Sequence, residues 1–274
     1  DTVRVSQASA DQRKGRAGRV APGECYRLWT ERTQHHLDPH TAPEIENADL
    51  APLALELAMW GTPDPSELRW LDPPPSDAYT QAQDLLLRLG AVDEDGTITD
   101  HGREMAELGL HPRLAHMLIN ARALGHGAVA CDLAALLSER DIFKGQDEAP
   151  DVDLRLRLEA LHRLRRGERP TPNHARSYVV PYGAVGHVRT VADHWRSKLG
   201  VSRDKEGDVE VTGLLTAFAY PDRIAQRREG QTSRFRLRNG RAAKLPRPQL
   251  LSDADYLVAA HVDARRRENR IFLA

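Results

Sequence analysis

The stretch SQASADQRKGRAGRV, residues 6–20, decides how the rest of this chain is interpreted. It places three arginines and a lysine beside two glycines, an arrangement that brings positive charge close to the backbone. Ser9 followed by Gln12 matches a capping box, in which a serine side chain and a side chain three residues later satisfy each other's backbone donors. A helix is therefore predicted to begin near Ala10, with both glycines in its interior.

One face of this predicted helix carries the polar groups of interest. Gln12, Arg16 and Arg19 have the spacing i, i+4 and i+7, which places them on the same side of a helix. Gly15 and Gly18 leave space beside that side for another surface to approach. An amide and two forked guanidinium groups suit a nucleotide phosphate. A solvated basic helix is the alternative that the residues alone leave open.

The composition indicates a protein with a sizeable core and without a global preference for nucleic acid. The chain has 274 residues, 40% of them hydrophobic, and a net charge of −1, so any basic surface must be local. Cys25 and Cys131 form no CxxC pair, which favours a reducing cytoplasm. The histidines lack metal-ligand spacing, and the sequence contains no run of about 18 apolar residues. Because the chain starts with Asp, we expect a fragment of a longer protein.

The eight residues QRKGRAGR, 12–19, resemble the last motif of the DEAH-box helicases of superfamily 2, Q-R-x-G-R-A-G-R. That motif lines the cleft between two RecA-like domains. The resemblance implies that Arg16 and Arg19 are catalytic arginine fingers that neutralise charge on the γ-phosphate. It also implies that Gln12 helps to hold the nucleotide and the attacking water. The implied nucleotide-binding residues are Gln12, Gly15, Arg16 and Arg19. Arg13 points elsewhere, and a structural ion pair is expected for it.

Later segments continue the same resemblance. GECYRLWT, 23–30, looks like the strand that follows the motif. TAPEIENADLAPLALELAMWG, 41–61, looks like the entry into a winged-helix domain. HGREMAELGLHPRLAHMLINARALG, 101–125, and AALLSERDIF, 134–143, look like the start of a helical-bundle, ratchet-like domain. The wording of these segments is most similar to the bacterial HrpB-type branch of the DEAH-box family, most specifically as far as residue 143.

Hydrophobic periodicity supports the winged helix that the resemblance implies. Two amphipathic helices are expected, the second capped by Ser76 or Asp77 and ended by Gly90. Asp95-Gly96 predicts a turn before a short strand, which completes two helices and a small hairpin. Without the resemblance, any small α+β domain would fit equally. The apolar faces consist of Leu50, Leu53, Ala54, Leu57 and Ala58, and of Ala78, Ala82, Leu85, Leu86 and Leu89.

Four further helices with apolar stripes predict a helical bundle. These stripes are interpreted as core rather than as a binding feature. In the third of them, arginines are expected on the opposite face. Polar linkers are predicted at 145–151 and 165–174, and the basic run LHRLRRGERP, 161–170, could contact RNA or be a solvated face. The stripes are Leu114, Met117, Leu118, Ala121 and Leu124; Val129, Leu133, Leu136 and Leu137; Leu154, Leu158, Leu161 and Leu164; Val185, Val188, Val191, Ala192 and Trp195.

The last quarter of the chain predicts short strands. Phe235 and Leu237 alternate with arginines, which indicates a strand with one apolar and one basic face. Asn239-Gly240 predicts a hairpin, and two more strands are expected around an Arg-rich turn. The order resembles the OB-fold of DEAH-box helicases, which binds single strands through a basic groove. Few aromatic residues are present, so phosphate contact should dominate. The candidate nucleic-acid residues are Arg223, Arg227, Arg228, Arg234, Arg236 and Arg238. A basic sheet edge that discourages aggregation is the alternative for any one of them.

The predicted fold class is mainly α with a β-rich C-terminal part. The expected order is the tail of a RecA-like α/β domain at 1–40, a winged helix at 41–109, a ratchet-like helical bundle at 110–200 and a partial OB-fold at 201–274, whose last residues RIFLA look like the middle of the barrel.

The function implied by the resemblance is that of a region of an ATP-dependent RNA helicase. The sequence contains neither GxxxxGK[ST] nor a DExH stretch, so ATP and Mg²⁺ would be bound mainly by RecA-like domains that precede it, and the chain alone should be inactive as an ATPase. The expected partners are those domains and single-stranded RNA, possibly DNA. Two other functions stay open: a non-catalytic nucleic-acid-binding or adaptor protein, and a winged-helix transcription factor that prefers duplex DNA.

Overall fold

The computed structural model describes residues 4–145, 150–168, 178–202, 206–263 and 269–274. The described residues form two units by their contacts, residues 1–50 with 64–82 and residues 51–63 with 83–274. No helix in the described ranges has the length and apolar character needed to cross a membrane. The helices are α1 (Gln7–Ala17), α2 (Glu31–His35), α3 (Ala51–Trp60), α4 (Ser76–Arg88), α5 (Asp100–Leu108), α6 (Pro112–Ala123), α7 (Gly127–Ser138), α8 (Leu154–Arg165), α9 (Tyr182–Lys198) and α10 (Thr212–Ala219). The strands are β1 (Lys144–Gly145), β2 (Tyr178–Val179), β3 (Ile224–Arg227), β4 (Arg234–Leu237), β5 (Ala242–Lys244), β6 (Tyr256–Val258), β7 (His261–Asp263) and β8 (Asn269–Leu273).

In the first unit, helix α1 begins three residues earlier than the sequence predicts. Ser6, not Ser9, is the N-cap, and its hydroxyl accepts a hydrogen bond from the backbone N–H of Ser9. The reason is local docking, because the side chain of Gln7 donates to the carbonyl of Leu37 at 2.8 Å and its backbone donates to Asp38. These contacts fix the first turn, whereas a cap at Ser9 would leave it unwound.

The strand predicted for 23–30 is wrong for this chain. Residues 22–30 form neither strand nor helix. A strand exists only when a neighbouring strand pairs with its backbone, and the described residues of the first unit provide no such neighbour. The segment ends at Thr30, whose hydroxyl caps helix α2.

The two amphipathic helices predicted around residues 50–58 and 78–89 are confirmed as α3 and α4, and the small hairpin predicted after them is also confirmed. Gly90 follows α4 in the left-handed region at φ 68°. The carboxylate of Asp93 accepts backbone hydrogen bonds from Asp95 and Thr97, which closes the turn and sets up the bridge between Val92 and Ile98. The predicted core residues of this part are buried, apart from Leu53 and Ala78, which are half-buried.

Helices α6 to α10 form the bundle, and most of the predicted stripes are core. Leu124 is an exception, because it lies past the end of α6 with 53% of its surface exposed. The prediction that the arginines of α8 lie opposite its leucines is wrong for Arg157. Arg157 is buried, lies against the ring of Phe143 and forms a bidentate ion pair with Asp141 through Nε and Nη2, at 3.0 and 2.6 Å.

The centre of the bundle is a buried carboxylate, Asp132 on α7. Arg165 of α8 binds both of its oxygens, at 2.5 and 2.6 Å, and Arg196 of α9 binds one at 2.8 Å. The Nε2 atom of His162 lies 3.0 Å away. Burial alone would raise the pKa of Asp132, but the hydrogen bonds from His162 and Arg165 and the charges of Arg165 and Arg196 lower it below its ordinary value.

The C-terminal strands form a curled, mixed sheet with the order β6-β3-β4-β5-β8-β7. All pairs are antiparallel except β5 and β8. The two outermost strands, β6 and β7, are separated in sequence only by the buried residues Ala259 and Ala260, so the sheet must curl to bring its ends together. The stretch RIFLA lies in β8, between β5 and β7. The core contains Val152, Ala225, Phe235, Leu237, Ala243, Leu245, Leu257, Ala259 and Ile271.

The predicted alternation in β4 and the predicted hairpin after it are both confirmed. Phe235 and Leu237 are buried, while Arg234 and Arg236 are exposed. Gly240 takes φ 82°, and its N–H donates to the carbonyl of Leu237.

The predicted linkers and basic segments are only partly visible. In the basic run 161–170, Arg165 binds Asp132, and Arg166 pairs with Glu168 and Glu206. Residues 146–149 and 169–174 of the two linkers, and residues 264–268 of the Arg-rich turn, lie outside the described residues.

Replacing Asp132 with alanine should destabilise the chain by about 3–5 kcal/mol, because it leaves buried guanidinium groups without their carboxylate. Urea unfolding followed by circular dichroism measures the change. The matched control is Asp193→Ala, whose carboxylate lies 3.9 Å from exposed Arg189 and should contribute less than about 1 kcal/mol.

The same carboxylate should make stability depend on pH. Because the folded-state pKa of Asp132 is lowered, its contribution is complete above the unfolded value of about 4 and is lost as the pH falls towards the folded pKa. Equal losses of stability in the Asp132 and Asp193 variants, or an unchanged acid limb in the Asp132 variant, would contradict this account.

Candidate nucleotide and nucleic-acid sites

The QRKGRAGR run lies on an open surface at the end of α1. Residues 11–20 are all exposed. Gln12 and Arg16 lie one turn apart on the helix, as the spacing predicts. The predicted helical position of Arg19 is wrong, because the helix ends at Ala17 and Gly18 is its C-cap. Arg19 therefore lies on the chain that leaves the helix, where its position is set by residues 18–23.

Three glycines around this run have different surroundings. A Cβ added to Gly15 or to Gly18 would meet nothing within 4 Å, so space beside both residues is open in this unit. A Cβ added to Gly23 would overlap the carbonyl oxygen of Ala17. The chain after the run thus passes directly across the end of α1, and only glycine allows this approach.

The ion pair expected for Arg13 is absent among the described residues. Instead, Arg27 pairs with Asp11 and connects the segment after the run to the helix. The sequence could not distinguish these two arginines, because the pairing depends on how the chain returns across α1.

The outer face of the curled sheet collects a second group of basic side chains. Arg228, Arg234, Arg236 and Arg238 are exposed. Arg234 is opposite Lys244 on β5, and Lys244 is next to Arg270 on β8. The backbone N–H of Arg228 donates to the carbonyl of Arg234. Arg228, Arg234, Lys244 and Arg270 therefore form one row across the sheet, which we call the cationic row.

Two of the predicted nucleic-acid residues have structural contacts instead of a place in this row. Arg223 donates to the carbonyl of Ala260 at 2.7 Å and lies against the ring of Tyr220. Arg227 pairs with Asp255 at 2.8 Å. Arg223 therefore contacts the connection between β6 and β7, and Arg227 connects β3 to the residue before β6.

Sequence reasoning missed four side chains on the outer face. Lys244 and Arg270 complete the cationic row, and two aromatic rings are exposed, Tyr256 by 63% and Phe272 by 44%. The sequence does contain a sign of them, because polar or exposed positions alternate with buried ones in the short segments AAK, 242–244, and NRIFL, 269–273. It was hard to use because strands of three to five residues do not show which face is inward.

Metal-binding geometry is not evident in the described part of the chain. No group of three or more His, Cys, Asp or Glu side chains there could hold a metal ion.

Comparison with known proteins identifies the class. Residues 82–110 match the family described as helicase associated domain (HA2), winged-helix. The chain is 34% identical over 263 residues to the ATP-dependent RNA helicase HrpB of Escherichia coli K12, an alignment that covers 94% of this chain and 28% of that protein. It is 39% identical over 142 residues to the human probable ATP-dependent RNA helicase DHX35, covering 52% of this chain and 20% of that protein.

Solved structures agree with the sequence relatives. A crystal structure of the Escherichia coli DEAH/RHA helicase HrpB matches with a TM-score of 0.73 and 32% identity over 99% of this chain and 31% of the other. A second, of the Escherichia coli DExH-box NTPase HrpB, matches with a TM-score of 0.70 and 33% identity over 100% of this chain and 30% of the other.

These matches define a helicase-associated region of the DEAH-box RNA helicase class, with an HA2 winged helix. More particularly, the chain is a homologue of HrpB over nearly its whole length. It spans less than a third of the length of the relatives that it matches.

The contact of Gly23 with α1 can be tested by substitution. Gly23→Ala should loosen residues 18–30 by about 1–3 kcal/mol, because the new methyl group overlaps backbone. Amide hydrogen exchange of this segment measures the effect. Gly18→Ala, whose Cβ meets nothing, is the control and should leave exchange nearly unchanged; similar exchange in both variants would show that the close approach is unimportant.

Proposed function

We propose that this chain is the C-terminal-side part of an HrpB-like, ATP-dependent RNA helicase that couples ATP hydrolysis to movement along, or unwinding of, nucleic acid. The observation that carries the proposal is the exposed run at 12–19. Its polar and glycine positions match the DEAH-box motif, and nothing within the first unit covers them. The homology to HrpB supports the same conclusion.

In this proposal, ATP with Mg²⁺ is held mainly by preceding RecA-like domains. Arg16 and Arg19 place guanidinium groups against the developing charge of the transferred phosphoryl group. The amide of Gln12 helps to orient the nucleotide and water. The missing side chain of Gly15 allows the phosphates to approach the helix backbone.

Exposed apolar side chains support contact with a further domain. Val20 is fully exposed, Leu28 is 94% exposed and Tyr26 is 79% exposed, all in the segment around the motif. Apolar side chains grouped in this way are typical of surfaces that another protein surface covers. The segment at 23–30 would then gain the strand neighbour that it lacks here.

We also propose the domain order that the sequence predicts, with the end of a RecA-like domain at 1–40, a winged helix at 41–109, a ratchet-like bundle at 110–200 and an OB-fold at 201–274. Support for the OB-fold comes from the sheet. If β6 and β7 are counted as one bent strand, five strands follow one another around a closed curve, as in the Greek-key barrel of OB-folds.

The main test replaces Arg16 with alanine in the intact helicase. RNA-stimulated ATP turnover should fall by about 10³–10⁵-fold, the usual effect of removing an arginine finger, while KM for ATP changes little. The control is Lys14→Ala, which changes the exposed side chain at the variable position of the motif and should retain turnover. If the Arg16 variant keeps full RNA-stimulated ATPase, the helicase assignment of this surface is wrong, and a non-catalytic nucleic-acid-binding protein becomes the better account.

Gly15→Ala separates a folding role from a nucleotide role. Alanine should stabilise α1 by about 1 kcal/mol, because glycine is a poor helix former, and no atom obstructs the new methyl group. In the intact helicase the same variant should nevertheless lose ATPase activity, because the methyl group occupies the space proposed for phosphate. Thermal unfolding and steady-state ATPase assays check the two expectations; full activity would show that the space beside Gly15 is not used.

A further inference from the structure

Two histidines face each other where the winged-helix region meets the helical bundle. His101 lies on α5, within the residues that match the winged-helix family, and His116 lies on α6, outside them. The Nε2 atom of His101 is 2.8 Å from Nδ1 of His116, and the two rings meet edge to face at 85°. We propose that this pair is a proton-sensitive joint, which holds α5 against α6 with at most one proton and releases α5 when it takes up a second, while α7 to α9 stay folded.

The hydrogen bonds around His116 assign its neutral tautomer. Its imidazole also hydrogen-bonds the backbone carbonyl of Leu89, the first residue after α4. A carbonyl oxygen only accepts, so the single N–H of the neutral ring is used there, and Nδ1 is left to accept from Nε2–H of His101. One chain of donors and acceptors therefore connects α5, α6 and the end of α4.

This chain tolerates one proton but not two. A proton on His101 alone leaves Nε2–H as the donor to His116. A proton on His116 alone is accommodated when His101 changes tautomer and presents an unprotonated Nε2. When both rings are protonated, two N–H groups face each other across 2.8 Å and two positive charges repel. The hydrogen bond is then impossible, and α5 loses it.

The surroundings of the pair also disfavour charge. Both rings are half-buried, and Phe218 of α10 lies edge-on to His116 with 6.3 Å between the ring centres. Burial lowers the pKa of His101. Burial, together with the charge of His101, lowers the pKa of His116 to about 4. The packing around the joint thus opposes the same protonation that its hydrogen bond excludes.

The charged groups on the helices around the joint leave this balance unchanged. From α5, Glu104 raises the pKa of His101, but burial outweighs it, and its carboxylate pairs with Arg122 of α6. Arg88 at the end of α4 is exposed, as is Glu56, the one charged residue of α3. Helix α10 has no charged residue.

The release is expected to be local to α5. The pair of Glu104 with Arg122 also connects α5 to α6, but its side chains are 39% and 45% exposed, and such pairs contribute little. Helices α7, α8 and α9 are held instead by the ion pairs of Asp132, whose lowered pKa keeps the carboxylate charged at pH 5.

Amide hydrogen exchange of the 274-residue chain between pH 7 and pH 5, corrected for intrinsic rates, tests this release. Because the pKa of His116 is lowered from 6.5 in the folded state, the contribution of the joint is complete above pH 6.5 and is lost as the pH falls towards 4. The opening equilibrium of α5 should rise by at least about 20-fold between pH 7 and pH 5. Amides of α7 should keep their protection.

A double variant removes the titration but keeps a hydrogen bond. In His101→Gln with His116→Asn, an amide N–H and a carbonyl oxygen take approximately the places of Nε2 and Nδ1, and neither side chain titrates. Protection of α5 should be lower at every pH, because the carbonyl of Leu89 loses its donor, but should no longer depend on pH. The control, His40→Gln with His194→Gln, removes two exposed histidines outside the joint and should keep the original dependence.

Nitrogen NMR of the imidazoles reports the tautomer without any substitution. At pH 7, Nδ1 of His116 should be unprotonated and Nε2 of His101 protonated. Four results would overturn the inference: a protonated Nδ1 on His116 at pH 7, pH-independent protection of α5 in the original chain, the same pH dependence in the double variant, or equal loosening of α5 and α7. None of them involves ATP or RNA, so the joint and the proposed function can fail separately.

Discussion

The arrangement of the helical bundle depends on the buried carboxylate of Asp132. Helices α7, α8 and α9 each contribute to the cluster around it, and the exposed fraction of both Asp132 and Arg196 is zero. Removing two charges from water is costly, and close hydrogen-bonded geometry is needed to repay that cost. Because the guanidinium of Arg165 must meet both oxygens while that of Arg196 meets one, the three helices have little freedom to slide or rotate. The main effect of the cluster is therefore to fix the positions of α7, α8 and α9 relative to one another. Well-packed hydrophobic residues could give the same stability without fixing these positions.

The same chemistry connects the bundle to the curled sheet. Arg113 of α6 forms a bidentate ion pair with Asp222, just before β3, and lies against the ring of Tyr220. Burial alone would raise the pKa of Asp222, but the hydrogen bond and charge of Arg113 lower it. On the other side, Val152 belongs to the core of the sheet and accepts a backbone hydrogen bond from Ala274. Two separate sets of contacts therefore connect the bundle to the sheet.

The sequence predicts the elements of this chain better than its side-chain partners. Apolar stripes identify α3, α4 and α6 to α9 because helical periodicity follows burial, and Gly90 and Gly240 mark turns whose backbone requires positive φ. Errors arise where a distant segment decides the outcome. Ser6 caps α1 because residues 37–39 receive its first turn, and the segment at 23–30 lacks a strand neighbour. Likewise, Arg157 occurs on a helix that looks amphipathic with a basic solvent face, yet its carboxylate partner comes from residue 141. No local pattern contains that information.

Arginine is abundant in this chain, so function has to be assigned from what each guanidinium meets. Arg113, Arg157 and Arg196 are buried against carboxylates and explain how a nearly neutral chain can contain many arginines without being generally basic. Arg16 and Arg236 differ from these buried arginines because they are exposed to solvent. Arg16 lies beside Gly15 and Gly18, and Arg236 lies on the face of β4 opposite its buried residues. A buried arginine loses the hydration of its guanidinium group, so ion pairs and hydrogen bonds within the fold must compensate for that loss. An arginine that stays in water needs no such contacts. Positive charge gathered on an ordered surface is therefore a better guide to an anionic ligand than a high local density of arginine in the sequence. In the arginine-rich run 161–170, for example, Arg165 and Arg166 bind carboxylates of their own protein.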